Sequence, residues 1–223
     1  MSEKAASHNE VITTKIYDPM ALLNAPILPA LAAMINSSFA AHFAPFVSPA
    51  VLNGTQRINS PNELAEDITP DGFTVVAFSP SSPDTPIATA SVKVYYNDKF
   101  WEDWGDARRS KSKQWKEENK DAVYTQWEIT AVAVRYSPEY LKKGLATHVV
   151  NVVAEELKRR LSASQKQTDG ESKTIVRVVK EINGDYWLKK GFVLVEETVI
   201  PAGILGTELT NWDMEKTSRL DDY

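Results

Sequence analysis

The residues best suited to chemistry lie together in Leu141-Lys142-Lys143-Gly144-Leu145-Ala146-Thr147, and the task they suit is holding an anion. Gly144 lets a ligand approach the backbone without a Cβ in the way, and small Ala146 keeps the first helical turn open. Lys142 and Lys143 add positive charge. The expected anion is a phosphate, because the first N–H groups of a helix are unpaired and carry the positive end of its dipole. A nucleotide-cradling loop would need G-x-x-x-x-G-K-[ST] and a dinucleotide fold G-x-G-x-x-G, and neither occurs in the chain. Just upstream, Glu128 is the one charged residue in the apolar run Trp127 to Val134.

The elements that must position these residues follow from hydrophobic patterning. Trp127 to Val134 is β-branched and apolar, which suits a strand buried on both faces. Ser137-Pro138-Glu139 is turn chemistry, and from Ala146 the apolar residues Val149, Val150, Val153, Leu157 and Leu161 keep helical spacing. The order is therefore strand, glycine-bearing loop, helix. Before it, a first strand is expected over Val11 to Tyr17 and a buried helix from about Leu28 to Phe43. A capped helix, Ser60 to about Ile68 with Glu63 closing a capping box, precedes a hairpin of Gly72 to Ser79 and Pro86 to Tyr96. After it come a polar linker from Ser162 to Lys173, strands over Thr174 to Lys180, Phe192 to Ile200 and Glu208 to Met214, and a frayed end from Thr217.

Composition narrows the class. At 223 residues and 43% apolar content the chain can bury one sizeable core and is short for two. A net charge of −5 argues against a nucleic-acid partner, which would call for a basic face. With no cysteine, disulfides, thiolate zinc sites and a Cys nucleophile are excluded. His8, His42 and His148 show no metal-ligand spacing, so no metal is expected. Pro19 to Gln56 contains no Asp, Glu, Lys or Arg, but Pro26, Pro29, Pro45 and Pro49 interrupt it and no membrane span is expected. The polar start MSEKAASHNE lacks the apolar core of a signal peptide, which makes the cytoplasm the expected compartment.

The loop Leu141 to Ala146 resembles the [QR]-x-x-G-x-[GA] segment of the GNAT superfamily of acyl-CoA-dependent N-acetyltransferases, with Leu141 where Gln or Arg is usual. Asn183-Gly184-Asp185-Tyr186-Trp187-Leu188-Lys189-Lys190-Gly191-Phe192 resembles the family's second signature, a short helix ending in Gly-Phe before a strand. The resemblance spans roughly Val11 to Lys216 and implies an α/β (α+β) fold. This is a single domain with a mixed, mostly antiparallel central sheet flanked by helices. Residues 1–10 and 217–223 would be tails. Asn97 to Ala122 departs most from the family and reads as an insertion whose Trp101, Trp104 and Trp115 share one helical stripe, as packing anchors or as part of an acceptor pocket.

The same resemblance implies acetyl-CoA as acyl donor and a small-molecule or peptide amine as acceptor, joined by direct attack in a ternary complex. It implies CoA contacts from Leu141, Lys142, Lys143, Gly144, Leu145, Ala146 and Thr147, and thioester contacts from the backbone of Val132, Ala133 and Val134 where the strand splays. Amines titrate near 10, so a base is useful at neutral pH. Glu128 resembles the strand glutamate that serves some members as that base, and its alternative is a structural carboxylate. The family's acid is a tyrosine four residues before the glycine of Gly-Phe. Here Trp187 occupies that position and Tyr186 stands one place earlier, leaving Tyr186 as the candidate acid and Trp187 to pack on the pantetheine arm. Asn183 is expected to cap this helix, with CoA contact as a second role. The departures at Leu141 and Trp187 keep open the alternative of a GNAT-like acyl-CoA-binding module with little or no turnover.

Overall fold

The computed structural model describes residues 12–54, 56–96, 113–119, 124–163 and 171–219. Strands β1 (Thr13–Tyr17), β2 (Phe73–Ser79), β3 (Ser82–Val94), β4 (Gln126–Val134), β5 (Glu171–Val179), β6 (Val193–Ile200) and β7 (Leu209–Arg219) form one sheet in the order β1-β2-β3-β4-β5-β7-β6. Every neighbouring pair is antiparallel except β4 with β5. The middle of the sheet is the most apolar part: FTVVAFS in β2 is buried at every position, as a strand covered on both faces must be.

Helices α1 (Pro19–Leu23), α2 (Leu28–Phe43), α3 (Pro49–Gly54) and α4 (Pro61–Asp67) lie in the first third of the chain, followed by helical residues 113–118 (α5). The long α6 (Leu145–Ala163), short α7 (Asp185–Lys189) and α8 (Ala202–Leu205) complete the set. Val149, Val150, Val153 and Leu157 of α6 pack on one face of the sheet with Phe73, Val75 and Ile129. Leu22, Leu31, Ile35 and Leu64 pack on the other with Val76, Phe78 and Ala133. Alternation along β4 serves both layers, since neighbouring side chains of a strand point to opposite faces.

Several boundaries differ from expectation. The hairpin connection is shorter, with Ser82 already paired to Ser79, and the register jumps from there to Phe78↔Pro86 across a bulge in which the Ser82 and Thr85 hydroxyls bond each other at 2.6 Å. β5 begins at Glu171 rather than Thr174, and β7 continues to Arg219 where fraying was expected. The two hold each other through a continuous register from Glu171↔Arg219 to Val179↔Asn211. The capping box is incomplete: Ser60 makes no side-chain cap, and Glu63 Oε2 accepts from Asn59 N–H at 2.7 Å, one residue further back. Trp115 on α5 stacks on Tyr96 at 5.3 Å between ring centroids and so behaves as a packing anchor. Trp101 and Trp104 lie outside the described residues. Among the described residues no helix is long and apolar enough to cross a membrane.

Candidate functional site

The site begins where two strands part. β4 and β5 pair only from Gln126↔Lys173 to Glu128↔Ile175, and beyond Glu128 they diverge. On the other side of β4, Thr89 pairs with Ala133 and Ser91 with Thr130, so Ala131 and Val132 together face the single residue Ala90. This is a β-bulge, and Ala131 within it has a positive φ of 50°. With no strand on the β5 side of the bulged segment, N–H groups pointing that way lack a ladder partner. A cleft of about 740 Å³ fills the opening.

One arm of the cleft ends at the loop leading into α6. Tyr140 and Leu141 donate to Ser137 O at 2.9 and 3.0 Å, and the next backbone bond is His148 N–H to Gly144 O at 2.9 Å. Between them, the N–H groups of Lys142 to Thr147 have no carbonyl acceptor among the described residues. Lys142 and Gly144 turn the chain with φ of 59° and 78°. A Cβ placed on Gly144 would meet nothing within 4 Å, so the space over this arc of donors is open. Leu141, Lys142, Gly144, Leu145, Ala146 and Thr147 line the cleft. Lys143 is exposed and is not among the residues that do.

Across the opening, the turn Lys180–Gly184 is π-helical and runs directly into α7. Asn183 therefore lies inside this turn, not at a helix cap as expected; it is exposed, lines the cleft, and α7 starts after Gly184 with no side-chain cap. Gly184 is needed because a Cβ there would come within 2.9 Å of the Trp212 ring. Trp187 is only 3% exposed and is wedged edge-on between Tyr186 and Phe192, while still reaching the cleft wall. The Tyr186 hydroxyl is buried without a hydrogen-bond partner. Burial raises its pKa above that of a free phenol, and the Thr147 side chain opposes this without closing a hydrogen bond.

The other arm, on the α2 side, holds charge that is unusual for an interior. Glu128 is 4% exposed, with Oε2 3.8 Å from Lys93 Nζ and 3.9 Å from Arg177 Nη2. Lys93 in turn contacts both oxygens of Asp67 at 3.0 Å, and Arg177 donates to Tyr96 O at 2.9 Å. Arg57 Nη2 donates to Thr130 Oγ1 at 3.0 Å, and Ile35, Phe39 and Phe43 of α2 give this arm an apolar wall. Among the described residues no group of His, Cys, Asp and Glu could hold a metal ion.

The structure thus gathers Glu128, Val132 to Val134, Asn183, Tyr186, Trp187 and most of the loop around one opening. Sequence reasoning missed Arg57, Lys93 and Arg177. Lys93 is the single cation of the strand β3, and Arg177 interrupts the apolar half of β5, the same signal that singled out Glu128. Arg57 is the first charged residue after the uncharged stretch Pro19 to Gln56.

No protein-family model matches the chain, and no curated protein matches it by sequence. Solved structures do match. They include the PaiA N-acetyltransferase of Thermoplasma acidophilum in complex with coenzyme A, with a TM-score of 0.57, 15% identity, and coverage of 92% of this chain and 99% of that one. The ribosomal-protein-S18-alanine N-acetyltransferase of Escherichia coli matches with a TM-score of 0.56 and 11% identity over 93% and 94% of the two chains. An acetyltransferase of the GNAT family from Streptococcus pneumoniae matches at 0.54 and 13% over 93% and 99%. Such coverage at such low identity is a likeness of architecture, and the chain has the fold of the GNAT acyl-CoA N-acetyltransferases.

Proposed function

We propose that the chain transfers an acetyl group from acetyl-CoA to a primary amine by direct attack in a ternary complex. The observation that carries this reading is the continuity of one cleft from the open N–H arc at Lys142 to Thr147, through the bulged β4, to Glu128. The arc suits the pyrophosphate, whose charge the helix dipole and Lys142 complement. The N–H groups of Val132 and Val134, which alternate away from β3, suit the thioester carbonyl, where negative charge grows as the amine adds. Glu128 takes the ammonium proton directly or through water, freeing the lone pair that attacks the carbonyl carbon. As the C–S bond breaks, the Tyr186 hydroxyl is the group suited to protonate the departing sulfur, since burial keeps it protonated at any physiological pH.

The test is calorimetric titration with acetyl-CoA, followed by turnover with a panel of amines in which release of the free CoA thiol is measured. Binding with amine-dependent thiol release is expected. Binding without release for any amine would favour an acyl-CoA-binding module, and absence of binding would overturn both readings.

A further inference from the structure

The Arg57 guanidinium faces the cleft; among the described residues it is engaged only by the Thr130 hydroxyl, and no carboxylate lies within ion-pair distance of it. Its surroundings do not supply one. Glu128 is the acidic residue of the cleft wall, and it already stands between Lys93 and Arg177. Lys93 also has Asp67 at 3.0 Å and Arg177 has Asp213 at 3.9 Å, so each of these cations in this arm of the cleft has its carboxylates while Arg57 has none among the described residues. An arginine with a free planar fork is the side chain best shaped to receive a carboxylate in two parallel hydrogen bonds.

Register places Arg57 close to the reacting end. Thr130 is two residues from Glu128 on β4, so their side chains share one face at a spacing of roughly 6.4–6.8 Å. A molecule whose amine lies by Glu128 would thus present a carboxylate two or three bonds away to Arg57. Ile35, Phe39 and Phe43 line the remaining wall of this arm. Building on the acetyltransferase reading above, we infer that the acceptor is a free amino acid with an apolar side chain, its carboxylate held by Arg57 and its side chain lying against α2. A diamine would bring a second cation to Arg57, and a peptide N-terminus would bring a neutral amide where a carboxylate is wanted.

The test compares leucine with leucinamide and isoamylamine, phenylalanine with phenylalaninamide and phenethylamine, and all of these with 1,5-diaminopentane, at saturating acetyl-CoA. Each free amino acid is expected to exceed its amide and its decarboxylated partner by about tenfold or more in kcat/KM, because the unmet guanidinium penalises analogues that lack the charge. Arg57→Gln is expected to raise the amino-acid KM by about tenfold and bring the ratios toward one, with acetyl-CoA affinity retained, and Arg57→Lys to restore part of the preference. Preference for the amides, the diamine or the decarboxylated amines would overturn the inference, as would ratios unchanged in Arg57→Gln. Acetyl-CoA binding with no turnover of any amino acid would also overturn it. In every one of these cases acetyl-CoA binding still stands, whereas a protein that binds no acetyl-CoA refutes the transferase reading itself.

Discussion

Glu128 stands almost equidistant from Lys93 and Arg177, and this geometry has two consequences that a single substitution separates. If the carboxylate accepts the amine's proton, Glu128→Gln lowers kcat by roughly 10² while acetyl-CoA affinity is kept. If it only neutralises the two buried cations, the same change leaves catalysis intact and lowers the midpoint of thermal unfolding, because a buried charge pair stripped of one member is strongly destabilising. Rate and melting temperature measured on one preparation distinguish the outcomes. Tyr186 gives the opposite signature. Its hydroxyl is buried and unpartnered, so Tyr186→Phe removes an unmet polar group and is expected to leave the protein as stable or slightly more so. If that hydroxyl protonates the departing thiolate, turnover falls by about tenfold or more in a variant that melts no earlier.

At the scale of elements, α6 has two jobs that can be probed apart. Its first turn faces the cleft, and Gly144→Asp there places a carboxylate over the N–H arc. Asp tolerates a positive φ better than most residues, so the fold is expected to stay cooperative while acetyl-CoA affinity drops steeply through charge repulsion. Unchanged affinity in a folded Gly144→Asp protein would remove the loop from the donor site. Further along α6, Glu156 bonds both Arg159 and Arg160, and Arg160 also reaches Asp18 beside α1. Hydrogen bonding from Arg159, reinforced by Arg160 and only partly offset by burial, holds Glu156 down to about 2 from 4.5. A depressed carboxylate stabilises the fold above its unfolded value and loses that contribution as pH falls through the folded one. The melting temperature is therefore expected to fall between pH 4.5 and 2 by more in the native protein than in Glu156→Gln, and parallel pH curves for the two would refute the contribution.

For the molecule as a whole, what could be read from sequence is what short-range pattern encodes. The helical period of Leu28, Leu31 and Ile35 marks α2, the apolar run around Glu128 marks β4, and the glycine after two lysines marks the entry to α6. The parting of β4 from β5, the two-for-one register at Ala131 and Val132, and the π turn at Asn183 depend on how distant strands pair, which no local window carries. The same limit hid Arg57, since its place in the cleft is set by Thr130, far along the chain.

That long-range arrangement has a kinetic consequence. The arm at α6 and the arm at α2 open into one cleft and meet at the bulge, so on the proposed reading acetyl-CoA and the amine would be held there together. The chain contains no cysteine to carry the acetyl group between two separate half-reactions, and it has no G-x-S-x-G elbow to activate a serine in its place. Initial-rate plots against each substrate are therefore expected to intersect, and the protein mixed with acetyl-CoA alone is expected to gain no acetyl mass by intact mass spectrometry. Parallel lines together with a stable acetyl adduct would refute the ternary complex and direct the search to a nucleophile on the cleft wall, where the hydroxyls of Thr130, Thr147 and Ser38 lie.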